Sequence, residues 1–174
     1  MTYWHFAEID DKARPVMRDG TLIKPGKKYE TGVAQLCVSG YHGSERVIDA
    51  LHYAPGPWVS KRTITGTIVR GDDKLCGTEC VHSEGIDATE VLRKFARMCA
   101  LDVIDKWDAP EVVVRYLKTG DESIRDAARA AAWAAADAAD AADAARDAAW
   151  DAARDAQNKR LTRMLNKAMK EAGI

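Results

Sequence analysis

The chain has 174 residues, with 26 basic and 27 acidic side chains and a formal net charge of −1. This balance argues against the broad basic surface of a protein that binds duplex nucleic acid. No stretch of about 18 apolar residues is free of charge, so no membrane span is expected. The first 20 residues carry acids and lack an apolar run, which is not typical of a signal peptide. We therefore expect a cytoplasmic protein.

The first 85 residues have the alternation and the turn residues typical of β-structure. The run "TYWHFAEI" at 2–9 predicts a strand, and "SKRTITGTIVRGDDKLCGTECVH" at 60–82 predicts a β-hairpin that turns at "RGDDK". Between them, a short helix is predicted over residues 45–53, before a Pro-Gly turn. We therefore expect residues 1–85 to form a small antiparallel β-rich domain.

Two short helices are predicted in a connector at residues 86–120. "DATE" at 87–90 and "DAPE" at 108–111 each place an acid three residues after an aspartate that can cap a helix. The second helix is predicted over 112–118 and stops at "TG". The first helix is expected to bury one apolar stripe, which comprises Val91, Leu92, Phe95, Cys99, Val103, Ile104 and Trp107.

The last segment, 121–174, is predicted to be one long helix. Between Ala127 and Ala156, 19 of 30 residues are alanine, which has the highest helix propensity. The predicted fold is therefore α+β: a small antiparallel β-rich N-terminal domain, two short helices and one long alanine-rich C-terminal helix. Near its end the helix carries a conventional amphipathic stripe that should pack on this chain's own body or on a partner, formed by Leu161, Met164, Leu165, Ala168, Met169 and Ala172.

One face of the alanine-rich helix consists of alanine alone, and small side chains allow two helices to approach closely. We expect this face to make the chain a homo-oligomer, with two tryptophans as bulky ends. A solvated single helix, an ice-binding helix and an aspartate edge that mimics nucleic acid are the alternatives. The predicted interface comprises Ala127, Ala131, Ala134, Ala138, Ala141, Ala145, Ala149, Ala152 and Ala156 with Trp133 and Trp150, and the aspartate edge comprises Asp143, Asp147, Asp151 and Asp155.

A zinc site is one alternative for the N-terminal domain. Cys37, His42, Cys76 and Cys80 have the side chains of a Cys3His site. Their spacings, C-x4-H and C-x3-C, are not the tight C-x2-C pattern of structural zinc, and strand alternation would bury Cys76 and Cys80 on one face anyway. We therefore expect neither a metal nor a cofactor.

The stretch "LCVSGYHGSERVIDALHYA" is similar to the strand–helix element of ADP-ribosyltransferases. That resemblance implies an NAD site in which His5, His42 and Glu79 do the chemistry. The alternative is that Tyr41 and Tyr53 are core residues and His42 stabilises a turn. The candidates for binding any ligand in this region are Tyr3, His5, Tyr41, His42 and Ser44.

A second resemblance covers most of the chain. The motifs "C-x-x-G-x-H", "D-A-L-x-Y" and "G-D-D-K", followed by "DATEVLRKFARMCALD", an Ala/Asp/Arg/Trp tail and "DAQNKRL", are similar to a family of uncharacterised bacteriophage and prophage proteins. The resemblance implies a phage or mobile-element source and no assigned chemistry. If a phage encodes the protein, we expect it in the cytoplasm of the host cell. Cys76 and Cys80 are not part of that pattern, which weakens the zinc alternative.

From the sequence we expect a non-enzymatic phage accessory protein. It self-associates through the alanine-rich helix and binds a host protein or a small ligand through the N-terminal domain. Counter-defence against a bacterial immune system is a hypothesis motivated by the source and the small size. The rival hypothesis is an NAD-dependent ADP-ribosyltransferase or a binder of NAD-derived nucleotides.

Overall fold

The structure is a computed structural model that describes residues 1–106, 108–136 and 147–174, without the side chains of 133–136 and 147–152. It confirms the α+β class, with a six-stranded antiparallel sheet and separate helices. Within the described ranges, no helix has the length and apolar character needed to cross a bilayer. The strands are β1 (Thr2–Ile9), β2 (Pro15–Val16), β3 (Lys28–Glu30), β4 (Tyr41–Gly43), β5 (Trp58–Arg70) and β6 (Leu75–Asp87). The helices are α1 (Val47–His52), α2 (Thr89–Leu101), α3 (Glu111–Thr119), α4 (Arg125–Ala136) and α5 (Asp147–Glu171), with single 3-10 turns at Ile104–Lys106 and Glu122–Ile124.

The predicted hairpin forms the centre of the sheet. The strand order is β2-β1-β5-β6-β3, and β4 also pairs with β6. All of these pairings are antiparallel. Beyond β4, Trp4 and Ser44 exchange two backbone hydrogen bonds of 2.8 and 3.1 Å. This bridge connects the end of β4 to β1, and the sheet is curled.

Two irregularities bend the central hairpin. Between Thr65 and Ile68 the register slips by one residue, and Gly66 in the bulge has φ +78°. A side chain at Gly66 would collide with Thr78, because its Cβ would overlap the Oγ1 atom of that residue. Bulges increase the local twist of a strand pair, which favours the curl of the sheet. The second slip, between Ser60 and Arg62, lies next to the cavity described below.

The chain forms two compact units. The first comprises Met1–Thr89 together with Asn158–Ile174, and the second comprises Glu90–Gln157. The boundaries expected from the sequence were at 85 and 120, and residues 121–174 were expected to form one long helix. The first unit differs from the expected N-terminal domain because it also includes residues 158–174. The amphipathic stripe predicted near the end of α5 supplies the apolar side chains that this segment adds to the unit. Leu161 and Leu165 are fully buried.

The returning helix also caps α1. Arg46 stands at the N-cap of α1 and makes no side-chain capping bond. The side-chain oxygen of Asn158 instead accepts a hydrogen bond from the backbone N–H of Ile48 at 3.2 Å. One of the N–H groups that every helix leaves unpaired in its first turn is thus satisfied from α5.

The second unit contains α2, α3 and α4, with Phe95, Val113 and Ala128 buried. As predicted, α3 ends at Gly120, which has φ +69° and is the left-handed residue that terminates many helices. The apolar stripe predicted from Val91 to Trp107 is wrong at Val103, which is 52% exposed. The reason is that α2 ends at Leu101 and a 3-10 turn follows, so the helical spacing is lost. Trp107 lies outside the described residues.

Most of the predicted alanine interface also lies outside the described side chains. Ala127 and Ala156 are exposed, and Ala131 is half-buried. The alanine that α4 buries is Ala128, which is not on the predicted face. Residues 137–146 are not described, so the continuity of the predicted helix stays a prediction, as do the roles of Ala134, Ala138, Ala141, Ala145, Ala149, Ala152, Trp133, Trp150 and the aspartates 143–151.

Candidate functional site

The first unit contains a cavity of about 640 Å³. Its walls come from β1 and β4, from the segment at 16–19, from the loop at 37–40 and from the end of α1. Arg62 on β5 and Lys74 in the hairpin turn complete the lining. The volume falls within the range of about 300–1,000 Å³ that is usual for small-molecule sites.

Arg62 is the most unusual residue in the wall, because it is a cation with only 4% of its surface exposed. It lies opposite Tyr3 of β1 and His82 of β6, on the inner face of the sheet. Burial lowers the pKa of Arg62 to about 10, and the groups that face its charge are the Cys80 thiol and the Tyr41 phenol. Its Nε has no hydrogen-bond partner among the described residues. The guanidinium is therefore charged at neutral pH, and no carboxylate of the described residues is among the groups that face it.

The rim of the cavity adds two more cations. Arg18 donates from Nη2 to the backbone oxygen of Tyr53 at 3.2 Å, and the Lys74 ammonium lies 3.5 Å from the centre of the Tyr53 ring. Among the described residues that line the cavity, Asp19 is the one acid. Hydrogen bonds from the backbone and side chain of Thr21 hold the pKa of Asp19 below its usual value. Three cations and one anion give the cavity a net positive charge.

His5 extends from β1 into this positive environment. Its ring lies 5.2 Å from that of His82, centre to centre and nearly edge-on. Its Nδ1 is sealed from solvent and has no partner among the described residues. Burial lowers the pKa of His5 well below its ordinary value, and the charge of Arg62 lowers it further. His5 is therefore neutral at pH 7.

His82 lies behind His5 and does not line the cavity. Its Nδ1 is 3.1 Å from the Ser60 hydroxyl, while its Nε2 has no partner in the described chain. Burial, followed by the charge of Arg62, lowers the pKa of His82 to about 3. Two neutral imidazoles thus share the interior with one guanidinium.

His42 holds the loop at the mouth of the cavity. Its Nε2 accepts a hydrogen bond from the backbone N–H of Cys37 at 3.1 Å, and its Nδ1 lies 3.1 Å from the Gly40 oxygen. The proton of the neutral ring is therefore on Nδ1. Cys37 has φ +64°, a left-handed conformation that is uncommon outside glycine. Because both ring nitrogens are bonded to its own loop, His42 acts as the turn histidine that the sequence analysis gave as the alternative.

Comparison with known proteins adds nothing to this geometry. No protein-family model matches the chain, and no curated protein or solved structure matches it. The resemblances to the phage family and to ADP-ribosyltransferases therefore stay expectations. What the cavity can hold must follow from its own residues.

Four of the five ligand-binding candidates line this one cavity, namely His5, Tyr41, His42 and Ser44. The Tyr41 hydroxyl donates to the backbone oxygen of Glu30 at 3.1 Å, and Ser44 is buried in its backbone bridge to Trp4. Tyr3 is instead a core residue packed with Tyr29 and Ile64.

Three cations of the lining were not predicted from the sequence, namely Arg18, Arg62 and Lys74. A signal for Arg62 was present, because it alternates in phase with Ile64, which is buried on the same strand. For Arg18 and Lys74 no comparable signal exists, since both lie beside turns whose positions the fold decides.

Glu79, the third residue of the NAD-dependent alternative, does not join the two histidines. Its carboxylate accepts a hydrogen bond from the Thr65 hydroxyl at 2.8 Å and lies 3.1 Å from the Lys28 ammonium. These bonds hold the pKa of Glu79 below its usual value. Strand alternation explains the separation, because Cys80 beside it points into the core. The cavity therefore contains two of the three residues that the ADP-ribosyltransferase resemblance implied.

The residues of the zinc alternative are also distributed differently. Cys76 and Cys80 are buried, Cys37 is exposed, and the nitrogens of His42 are bonded to backbone. In the part of the chain that the structure describes, no three side chains of His, Cys, Asp or Glu meet as a metal-binding group.

Proposed function

We propose that the first unit is a non-enzymatic binding module that holds a small anionic molecule in the cavity. The observation that carries this proposal is Arg62, a buried guanidinium on the wall that faces no carboxylate of the described chain. Moving an unpaired charge out of water costs several kcal/mol even after the protein relaxes, so buried charges are normally paired. An anion in the cavity supplies the missing partner.

The rim supports an organic anion rather than a bare ion. Val38 is 71% exposed and Tyr53 is 38% exposed, and both line the cavity. Large apolar side chains at an open mouth lose contact with water when a ligand covers them. The ligand class that fits is a molecule with an anionic head near Arg62 and an apolar or aromatic part against these two residues.

Thermal unfolding of the full chain with phosphate, citrate, AMP or NAD at equal ionic strength tests the proposal. A ligand that binds only the folded state raises Tm with its concentration. We expect at least one of these anions to raise Tm, and we expect Arg62→Met to abolish that rise. Arg70→Met is the matched control, because Arg70 lies on the same strand with an exposed side chain. Equal shifts in the two variants, or no shift with any anion, would reject the proposal.

The enzymatic alternative has its own test. Labelled NAD is incubated with the full chain and a cell lysate, and transfer of label to protein is measured. We expect no transfer above background. Transfer that His5→Ala and Glu79→Gln each abolish would replace our proposal with an ADP-ribosyltransferase.

The predicted self-association and phage origin are parts of the same proposal. We retain the prediction that the chain forms a homo-oligomer through its alanine face. Light scattering of the full chain measures the mass in solution and tests this prediction. A binding module would act in counter-defence by sequestering an anion of the host in its cavity. Expression that fails to rescue phage infection in any restricting strain would remove that role without affecting anion binding.

A further inference from the structure

His5 lies close to two cationic groups and two other histidines of the first unit. His5 is faced by Arg62 from β5, His82 from β6, Arg18 from the segment after β2 and His42 from β4. Among the described residues, none of these facing groups is an acid. A positive charge gained by His5 is therefore opposed by the charges of Arg62 and Arg18 while the cavity is empty.

The hydrogen bonding within this cluster is incomplete. His5 Nδ1, His82 Nε2 and Arg62 Nε are all shielded from solvent, and none has a partner in the described chain. Buried polar groups in folded proteins are rarely left without a hydrogen bond. Two of these three atoms belong to residues that also line the cavity, so the cluster and the cavity share His5 and Arg62.

The charges on the cavity wall indicate the charge of a ligand that would fit it. With neutral histidines, Arg18, Arg62 and Lys74 against Asp19 leave a surplus of two positive charges on the wall. An anion beside His5 offsets the repulsion from Arg62 and favours the protonated imidazole. A ligand with two negative charges therefore balances the resident cations, and its own charge then favours the protonated form of His5.

We propose that the cavity selects doubly charged oxyanions, such as a phosphate monoester, and that His5 takes up a proton when one binds. The inference rests on the proposed anion-binding function. It adds the charge of the ligand head and the residue that titrates with it. The proton comes from solvent, and no bond in the ligand is made or broken.

Sulfate and perchlorate make a matched pair of probes, because both are tetrahedral oxyanions of similar size and they differ by one charge. Calorimetric titration of the full chain at pH 7 and constant ionic strength compares their affinities. Repeating the sulfate titration in two buffers with different ionisation enthalpies gives the number of protons taken up. We expect sulfate to bind more tightly than perchlorate, with a net uptake of protons.

His5→Gln keeps a polar side chain that does not titrate in this range. We expect it to abolish the proton uptake and to weaken sulfate binding about tenfold, the factor that corresponds to a shift of one pKa unit. Its effect on perchlorate should be smaller. His82→Asn tests the neighbouring imidazole, and His52→Asn, at an exposed position outside the lining, is the control that should leave the uptake unchanged. His5→Asn serves if His5→Gln does not fold.

The outcomes separate the two proposals. Equal affinities for the two probes, or uptake that persists in both His5 variants, would overturn this inference while leaving anion binding intact. Uptake lost in His82→Asn but kept in the His5 variants would also overturn it. Absence of sulfate and perchlorate binding together with no response to the organic anions would reject the binding function itself.

Discussion

The side-chain oxygen of Asn158 accepts a hydrogen bond from the backbone N–H of Ile48, 110 positions earlier in the chain. Ile48 belongs to α1, the helix that contributes Ala50 to the cavity wall. The end of the chain thus holds in place an element of the candidate site. This relationship gives the first of five predictions.

Asn158→Ala removes this capping bond. Loss of a helix cap costs about 0.5–2 kcal/mol, so we expect a lower free energy of unfolding in urea. Asn166→Ala is the matched control, since Asn166 is exposed on the same helix, and alanine there improves helix propensity by a few tenths of a kcal/mol. If the two variants have the same stability, the bond does not hold α1.

Leu165→Ala tests whether the returning helix is part of the first unit's core. Leu165 is fully buried, and truncating such a leucine costs about 2–5 kcal/mol. We expect faster hydrogen exchange at the backbone amides of β5 and β6 as well as a lower Tm. Lys167→Ala, an exposed position on the same helix, should change neither. If the hydrogen-exchange rates in β5 and β6 do not change, the returning helix does not stabilise the sheet.

Arg62→Met should not destabilise the protein without ligand, in contrast to most changes in a core. Replacing a buried charge by an apolar side chain of similar volume is often neutral or stabilising by about 1–4 kcal/mol. We expect Tm at pH 7 and low salt to stay the same or to rise. A loss of stability would mean that Arg62 is already balanced within the fold and needs no anion.

His82 gives the protein an acid-sensitive core. Its pKa is about 3 in the folded state and about 6.5 when unfolded, so the unfolded chain binds the proton first as the pH falls. Stability is therefore unaffected above about pH 6.5 and decreases from there toward pH 3.

Between pH 7.5 and pH 5, this single group should lower the free energy of unfolding by about 2 kcal/mol. His82→Asn, which retains a group able to bond Ser60 but does not titrate, should reduce the loss by that amount. His52→Asn, at an exposed position, should leave it unchanged. Parallel pH profiles for wild type and His82→Asn would contradict the burial of a neutral imidazole.

Gly77→Ala should be strongly destabilising. A Cβ at Gly77 would lie 2.5 Å from Cγ2 of Ile64 and 2.7 Å from the backbone oxygen of Thr65. The backbone atom cannot move without disturbing the hairpin, so we expect a cost of about 1–3 kcal/mol in urea unfolding. Gly32→Ala, where a Cβ meets nothing within 4 Å, is the control. Equal stabilities would show that the sheet relaxes around the added methyl group.

The strands and helices were largely predictable because their signals are local. β1 spans Thr2–Ile9, as the alternation predicted, and the hairpin turn lies where "RGDDK" placed it. The cavity was only partly predictable. His5, Tyr41, His42 and Ser44 were recognised from one motif and one strand, but their relation to Arg62 depends on the register of β5 against β1 and β6. Register is decided by pairing between distant segments and by bulges, which the composition of a single segment does not specify.

The return of the chain end was beyond prediction for a related reason. An amphipathic stripe shows that a helix has a buried face but does not identify what covers it. Asn158 gave no signal of its own, because asparagine is common at exposed helix positions and its partner is a backbone group. Only the assembled first unit shows why this residue stands there.

The division of the first unit between the two ends of the sequence has a consequence for biosynthesis. Residues 158–174 are translated after the whole of the second unit, so the sheet must remain without its last helix until that late stage. Leu161 and Leu165, which the first unit buries, belong to this late segment. The unit that carries the cavity is therefore complete only after residues 158–174 have been made.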